Sequence, residues 1–177
     1  MNLTFGDDVG YTLLGGTGDD VITDTAGNDR LIGGLGNDQL TSVAGSDVLR
    51  GGAGDDQLII ANKSAVTDQI QGGVGYDRLI IQGSDVDLSQ ASISGIEKID
   101  VAADSLSMTQ AQWDELGDRV SSVPGFNARY VLTMTETGTK ILTEDDRFDG
   151  VTGTSGDDTL VGNSHDNTLV GGAGNDA

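Results

Sequence analysis

The stretch that decides the fold is Gly15 to Ile59: GGTGDDVIT, DTAGNDRLI, GGLGNDQLT, SVAGSDVLR and GGAGDDQLI, five nine-residue units without a gap. After a three-residue insertion the frame returns in Lys63 to Gln71 (KSAVTDQIQ) and Gly72 to Ile80 (GGVGYDRLI). It returns again in Gly153 to Val161 (GTSGDDTLV), Gly162 to Val170 (GNSHDNTLV) and the incomplete Gly171 to Ala177 (GGAGNDA). Position six is Asp20, Asp29, Asp38, Asp47, Asp56, Asp68, Asp77, Asp158 and Asp176, with Asn167 the exception. Position eight is Ile22, Leu31, Leu40, Leu49, Leu58, Ile70, Leu79, Leu160 and Leu169, and position four is Gly except at Val66 and His165. Three columns in one register define a repeat, and a unit this short buries its apolar face only by stacking on its neighbours.

Six residues rich in Gly and Asp make a tight turn, because Gly reaches positive φ freely. The remaining three make a short strand in which the aliphatic residue faces inward and its two neighbours face out. Two units then form one coil of 18 residues. Stacked coils should line up Ile22, Leu40, Leu58 and Leu79 inside, with Leu31, Leu49 and Ile70 opposite. The turns stack as well, in two columns. One opens at Gly15, Gly33, Gly51 and Gly72, each the first of a Gly-Gly pair; the other opens at Asp24, Ser42 and Lys63. Stacking brings carboxylates of successive coils together, which is unfavourable without a cation. Hard oxygen donors in a flexible loop suit Ca²⁺ better than Zn²⁺ or Mg²⁺. The alternatives are turn-capping carboxylates, a flexible Gly-rich linker, or a phosphate loop, which the Asp residues would repel.

GGTGDDVIT, GGLGNDQLT and GGVGYDRLI resemble the GGxGxDxUx nonapeptide of the RTX, or hemolysin-type calcium-binding repeat, family. The resemblance covers residues 15–80 and 153–177. It implies an all-β fold, a right-handed parallel β-roll, with several Ca²⁺ ions as cofactor. It also implies that each ion lies between two same-side turns, held by position-six carboxylates and backbone carbonyls. Carried over, the ion pairs are Asp20 with Asp38, Asp38 with Asp56, Asp29 with Asp47, Asp56 with Asp77, and Asp158 with Asp176. The Gly-Gly turns at Gly15, Gly33, Gly51 and Gly72 complete the expected metal sites. Asp68 shares its turn with Lys63 and Val66, departs from the motif, and is assigned no ion.

Composition agrees. The chain has 177 residues with 28 Gly, 1 Pro, no Cys and a net charge of −20. Such acidity disfavours nucleic acid or anionic lipid as partner. Without cysteine there are no disulfides or thiolate metal sites. No run of 18 apolar residues and no N-terminal signal is seen. His165, the only histidine, takes a Gly position in a worn repeat, and the carboxylates are equivalent by repeat, so no catalytic residues are assigned and the chain is read as no enzyme. The third turn position (Thr17, Leu35, Ala53, Val74) and the fifth (Asp19, Asn37, Asp55, Tyr76) form no regular Thr or Asn ladder of the ice-binding kind.

Three segments are expected: a calcium-binding roll in 1–82, a non-repeat capping insertion in 83–150, and the truncated start of a second roll in 151–177. Gly6 to Leu14 fit the frame only at Leu13, as a worn repeat or a cap. In the middle segment, Val86 to Leu88 and Ile96 to Val101 read as strands. Thr109 is placed to cap a helix running to about Ser122, with Trp113, Leu116 and Val120 on one face, ended by Pro124-Gly125. Tyr130 to Glu136 and Thr139 to Thr143 flank Thr137-Gly138 as a hairpin. The insertion is expected to cover the roll's end; the sharper alternative is a ligand site contacted by Trp113, Phe126 and Tyr130. The chain is expected to be a fragment of a larger secreted or cell-surface bacterial protein of adhesin, surface-layer or toxin type. Its partners would be calcium, neighbouring domains and type I secretion machinery. The other readings are a glycan- or ice-binding module and the folding tail of an exported enzyme.

Overall fold

The fold, a computed structural model, describes residues 2–4, 9–24, 26–63, 65–124, 128–142 and 148–177. The repeat region runs β1 (Asn2–Thr4), β2 (Thr12–Thr17), β3 (Val21–Thr23), β4 (Arg30–Leu35), β5 (Gln39–Ser42), β6 (Val48–Ala53), β7 (Gln57–Ala61) and β8 (Gln69–Val74). It passes into β9 (Arg78–Asp87), β10 (Ser92–Ser94) and β11 (Lys98–Thr109), then helix α1 (Gln110–Leu116) and a 3-10 turn (Gly117–Arg119). β12 (Val120–Ser122), β13 (Arg129–Thr133), β14 (Thr139–Ile141), β15 (Gly150–Thr152), β16 (Thr159–Val161) and β17 (Thr168–Val170) follow.

Odd-numbered strands from β1 to β17 form one ten-stranded sheet, with β12 alongside β11. β2, β4, β6, β8 and β10 form the opposite five-stranded sheet, and β14 pairs β16. Every strand pairing is parallel. The chain is an all-β parallel solenoid. Ile22 stacks on Leu40, Leu40 on Leu58 and Leu58 on Leu79; on the facing sheet Leu13, Leu31, Leu49 and Ile70 stack in turn. All are buried, as the period requires. Full burial of one such side chain contributes roughly 1.5–3 kcal/mol.

The insertion at 60–62 lengthens β7, and Ile60 pairs with Ile81 of the longer β9, both buried. Asn62 then takes φ +60 and turns the chain back; Asn is among the few non-Gly residues that tolerate this region.

The middle segment adds coils rather than closing the roll, since β11, β13 and β15 continue the large sheet. Thr109 does cap the helix: its hydroxyl accepts from Gln112 N–H, and the Gln112 side chain accepts from Thr109 N–H. The helix ends at Leu116, not near Ser122, because Val120 to Ser122 pair with Ile99 to Val101 as a strand. Strand pairing overrides the helical periodicity of Val120. α1 occupies the place of a strand on the second face. Gln112 Nε2 donates to the carbonyls of Leu88 and Ala91 just before β10, and Lys140 Nζ of β14 donates to Gln110 Oε1.

The expected hairpin is absent: β13 and β14 lie on different sheets and pair only with strands of other coils. The physical reason lies at Gly138. Its N–H donates to Asp158 Oδ1 at 2.8 Å and its carbonyl accepts from Thr159 N–H, so Thr137-Gly138 is a turn between faces. Thr143 of that hairpin lies outside the described residues. Trp113 is buried, edge-on to Tyr130 (5.4 Å) and Phe148 (5.1 Å), and so packs the core rather than facing a ligand. Phe126 lies outside the described residues.

Candidate metal centre

Position six carries two backbone bonds in every coil. The carbonyl of Asp20 accepts from Gln39 N–H, that of Asp38 from Gln57, and that of Asp56 from Arg78. The N–H of Asp20, Asp29, Asp38, Asp47, Asp56, Asp77 and Asp158 donates to a carboxylate of the next coil. In the first column Asp20 donates to Asp38 Oδ1 (2.9 Å), Asp38 to Asp56 (2.8 Å) and Asp56 to Asp77 (2.9 Å). Asp77 N–H donates to Glu97 Oε2 at 2.7 Å, which ends the series. In the second column Tyr11 donates to Asp29 (2.6 Å), Asp29 to Asp47 (2.8 Å) and Asp47 to Asp68 (2.9 Å). Near the C-terminus Asp158 donates to Asp176 at 3.0 Å. One oxygen of each carboxylate is thus spent on the neighbouring coil.

The other oxygen separates the columns. Oδ2 of Asp38, Asp56 and Asp77 is buried and has no hydrogen-bond partner among the described residues. Buried polar atoms left this way are costly, and rare unless an ion or water completes them. Facing each of these oxygens is the unit's first glycine: a Cβ on Gly33 would run into the Asp38 carboxylate, one on Gly51 into Asp56, and one on Gly72 into Asp77. Gly15 stands in the same way against Asp20. The second glycine is required for its backbone. Gly34 has φ +118, and a side chain there would strike the carbonyl of Gly16 in the coil below. Burial raises the Asp38 and Asp77 carboxyls above their ordinary value and lifts Asp56 to about 6, with neighbouring carboxylates adding to the shift. This is the signature of stacked acids lacking a counter-charge.

In the second column position one carries a side chain. Ser42 Oγ donates to Asp47 Oδ2 at 2.6 Å, and Lys63 Nζ reaches both Asp47 and Asp68. One interval up, Asp24, Asp29 and Asp47 are all buried and each offers an oxygen within 4.8 Å of the others. Asp24 Oδ1 accepts from Val43 N–H, while its Oδ2 has no partner among the described residues. Burial, above all, raises Asp24 to about 7. All the donors gathered in both columns are oxygens, a set that fits Ca²⁺. Asp20, Asp38, Asp56 and Asp77 are therefore brought together in one column, Asp29 and Asp47 in the other, and Asp158 with Asp176 in a third place.

Several functional positions escaped the repeat frame. Glu97-Lys98-Ile99 and Asp149-Gly150-Val151 keep the acid-x-aliphatic spacing and could have been found by it. Asp149 indeed accepts from Tyr130 N–H and its carbonyl from Thr168 N–H. Asp24 was visible only as an acid in a glycine's place. Tyr11 and Gly138 serve through backbone atoms alone, which leave no mark in residue type. Position five forms a second, exposed ladder of opposite direction, with Asn37 N–H donating to Asp19, Asp55 to Asn37 and Tyr76 to Asp55.

The family model of the RTX calcium-binding nonapeptide repeat (4 copies) matches residues 12–40, 40–59 and 145–177. No curated protein and no solved structure matches the chain.

Proposed function

Starting from a chain whose repeats are RTX calcium-binding nonapeptide repeats, we propose that Ca²⁺ drives its folding and that it serves as a structural module of a larger secreted or cell-surface bacterial protein. The RTX repeats imply binding of Ca²⁺, and the clustered Asp residues supply the oxygens. The observation that carries the reading further is the buried Oδ2 of Asp38, Asp56 and Asp77, which has no hydrogen-bond partner among the described residues and lies against a glycine where any side chain would collide with it. Ions are assigned between Asp20 and Asp38, Asp38 and Asp56, Asp56 and Asp77, Asp29 and Asp47, and Asp158 and Asp176, or about five in all, each with six to eight oxygen ligands. Turn carbonyls, including those of the Gly15, Gly33, Gly51 and Gly72 turns, supply the remainder. Residues 1–82 and 151–177 carry the assigned ions, and 83–150 joins the two.

Each ion places two positive charges where carboxylate repulsion is greatest, so its binding free energy becomes folding free energy. With a net charge of −20 the ion-free chain favours expansion. In a secreted protein this acts as a switch: the chain leaves the calcium-poor cell unfolded, through type I secretion machinery, and folds where calcium is plentiful. Such a segment would suit a parent protein of adhesin, surface-layer or toxin type. Circular dichroism in EDTA and then in excess Ca²⁺ tests it. The expected outcome is loss of most β signal and of the sharp thermal transition in EDTA, with recovery on adding calcium. A β spectrum and melting curve indifferent to EDTA would refute the switch.

A further inference from the structure

The interval between Asp47 and Asp68 crosses the insertion and spans 21 residues, as Asp56 to Asp77 does in the other column, and it differs from that interval and the rest in what occupies position one. Its position-one residue is Lys63, whose side chain is only 4% exposed. A buried lysine needs charged partners to remain ionised, and this one has them. Its Nζ lies 2.7 Å from Asp68 Oδ2, 2.9 Å from Asp68 Oδ1, 2.7 Å from Asp47 Oδ2 and 3.2 Å from the carbonyl of Gly45. That is a carboxylate from each of two successive same-side turns plus a turn carbonyl, the donor set assigned to Ca²⁺ in the other intervals.

A second observation agrees. Ser42 Oγ donates to Asp47 Oδ2 at 2.6 Å and to Asp68 Oδ2 at 3.2 Å. Neither Asp47 nor Asp68 has a buried oxygen without a partner, in contrast to Asp38, Asp56 and Asp77. The interval is complete with protein atoms alone.

We propose that the Lys63 ammonium is a built-in substitute for one calcium ion, holding the Asp47 and Asp68 turns together. The position-one side chain thereby decides, coil by coil, whether the counter-charge is carried by the chain or taken from solution. The tethered cation gives one edge of the coil that contains the insertion a counter-ion that does not depend on calcium concentration. The proposal rests on the reading that position-six carboxylates of the other intervals hold Ca²⁺.

The test is the number of Ca²⁺ ions bound per chain, measured by equilibrium dialysis on the full chain and on Lys63→Met. It is paired with amine acylation of the unaltered chain in saturating Ca²⁺, mapped by mass spectrometry. Removing the ammonium should open the interval to calcium, so Lys63→Met is expected to bind one ion more than the unaltered chain. Lys63 should be acylated roughly tenfold more slowly than the more exposed Lys98 and Lys140, as expected for a group reached only through opening of the roll. If Lys63→Met does not fold, Lys63→Arg keeps a cation there and should restore folding with the ion count unchanged; an added ion in Lys63→Arg overturns the proposal. Calcium binding by the unaltered chain with no extra ion in folded Lys63→Met, or Lys63 acylated as fast as Lys98, overturns the proposal and leaves the functional reading standing. A chain that binds no calcium at all breaks the functional reading and the proposal with it.

Discussion

The two edges of the roll share one ladder of N–H to carboxylate bonds and differ at the first two positions of the unit. Along the edge of Asp20, Asp38, Asp56 and Asp77, position one is glycine, and the buried Oδ2 atoms of Asp38, Asp56 and Asp77 lie against that glycine with no hydrogen-bond partner among the described residues. Along the edge of Asp29, Asp47 and Asp68, position one is Asp24, Ser42 or Lys63, and the side chain enters the same space. The ladder of N–H to Oδ1 bonds is the same on both edges. The aliphatic columns behind them are equally buried. On the proposed reading, calcium dependence along these two edges follows position one together with position six, not the Asp column alone.

The comparison can be broken most directly at Asp38, which serves two assigned ions on the glycine edge. Asp38→Ala is expected to raise the calcium midpoint of folding by roughly tenfold or more, the equivalent of about 1.4 kcal/mol. Asp19→Ala, in the exposed position-five ladder, should shift it much less. Equal shifts in a calcium titration followed by circular dichroism would end the shared-ligand model. Behind the turns the edges should be indistinguishable: Leu40→Ala and Leu49→Ala, both fully buried, should each cost roughly 2–5 kcal/mol in urea unfolding at saturating Ca²⁺. A large difference between them would show that the edges differ in the core as well.

Acidity tests the counter-charge itself. Burial holds Asp24 at about 7 and Asp56 at about 6, against an ordinary 3.8. A carboxyl raised in the folded state contributes stability below its unfolded value and loses it as pH rises through its folded value. In EDTA the chain should therefore gain β structure as pH falls from about 7 towards 4. With Ca²⁺ present the midpoint should move to higher calcium over the same range, because the ion takes the ionised form. Circular dichroism at stepped pH reads both, and a flat response in EDTA would remove the case for stacked, uncompensated acids. The smallest expected effect is at Ser42. Ser42→Ala removes one of two side-chain donors to Asp47 Oδ2, which keeps Lys63, and should cost about 0.5–1.5 kcal/mol of stability in calcium, with little change in the midpoint for the glycine edge. A shift as large as that of Asp38→Ala would mean that the two edges are not independent.

Much of the molecule was legible because a solenoid turns local spacing into tertiary contact. A nine-residue period with one aliphatic position specifies two inner columns, and Ile22 meeting Leu40 or Leu31 meeting Leu49 follows from the register. The Asp columns and their glycines were readable for the same reason. Where the period lapses, so does the reading. Val120 sits at helical spacing from Trp113, yet it pairs with Ile99 because an open strand edge of β11 lies beside it. Thr137-Gly138 has the composition of a hairpin turn, yet it crosses between faces because Asp158 offers an acceptor to the Gly138 N–H.

By itself the sequence determined the repeat, the coil of two units, the inward aliphatic columns and the oxygen-only chemistry of the turns, since each is a statement about residue type at fixed spacing. Only the tertiary structure decided which residues complete a column where the type is lost. Tyr11 and Gly138 take the position-six role through an N–H and a carbonyl that every non-proline residue possesses. Lys63 takes an ion's place because a coil lengthened by the insertion still sets its ammonium between two carboxylates that are 21 residues apart in the chain. Backbone groups and cross-coil distances carry no residue-type signal, so those assignments come from coordinates.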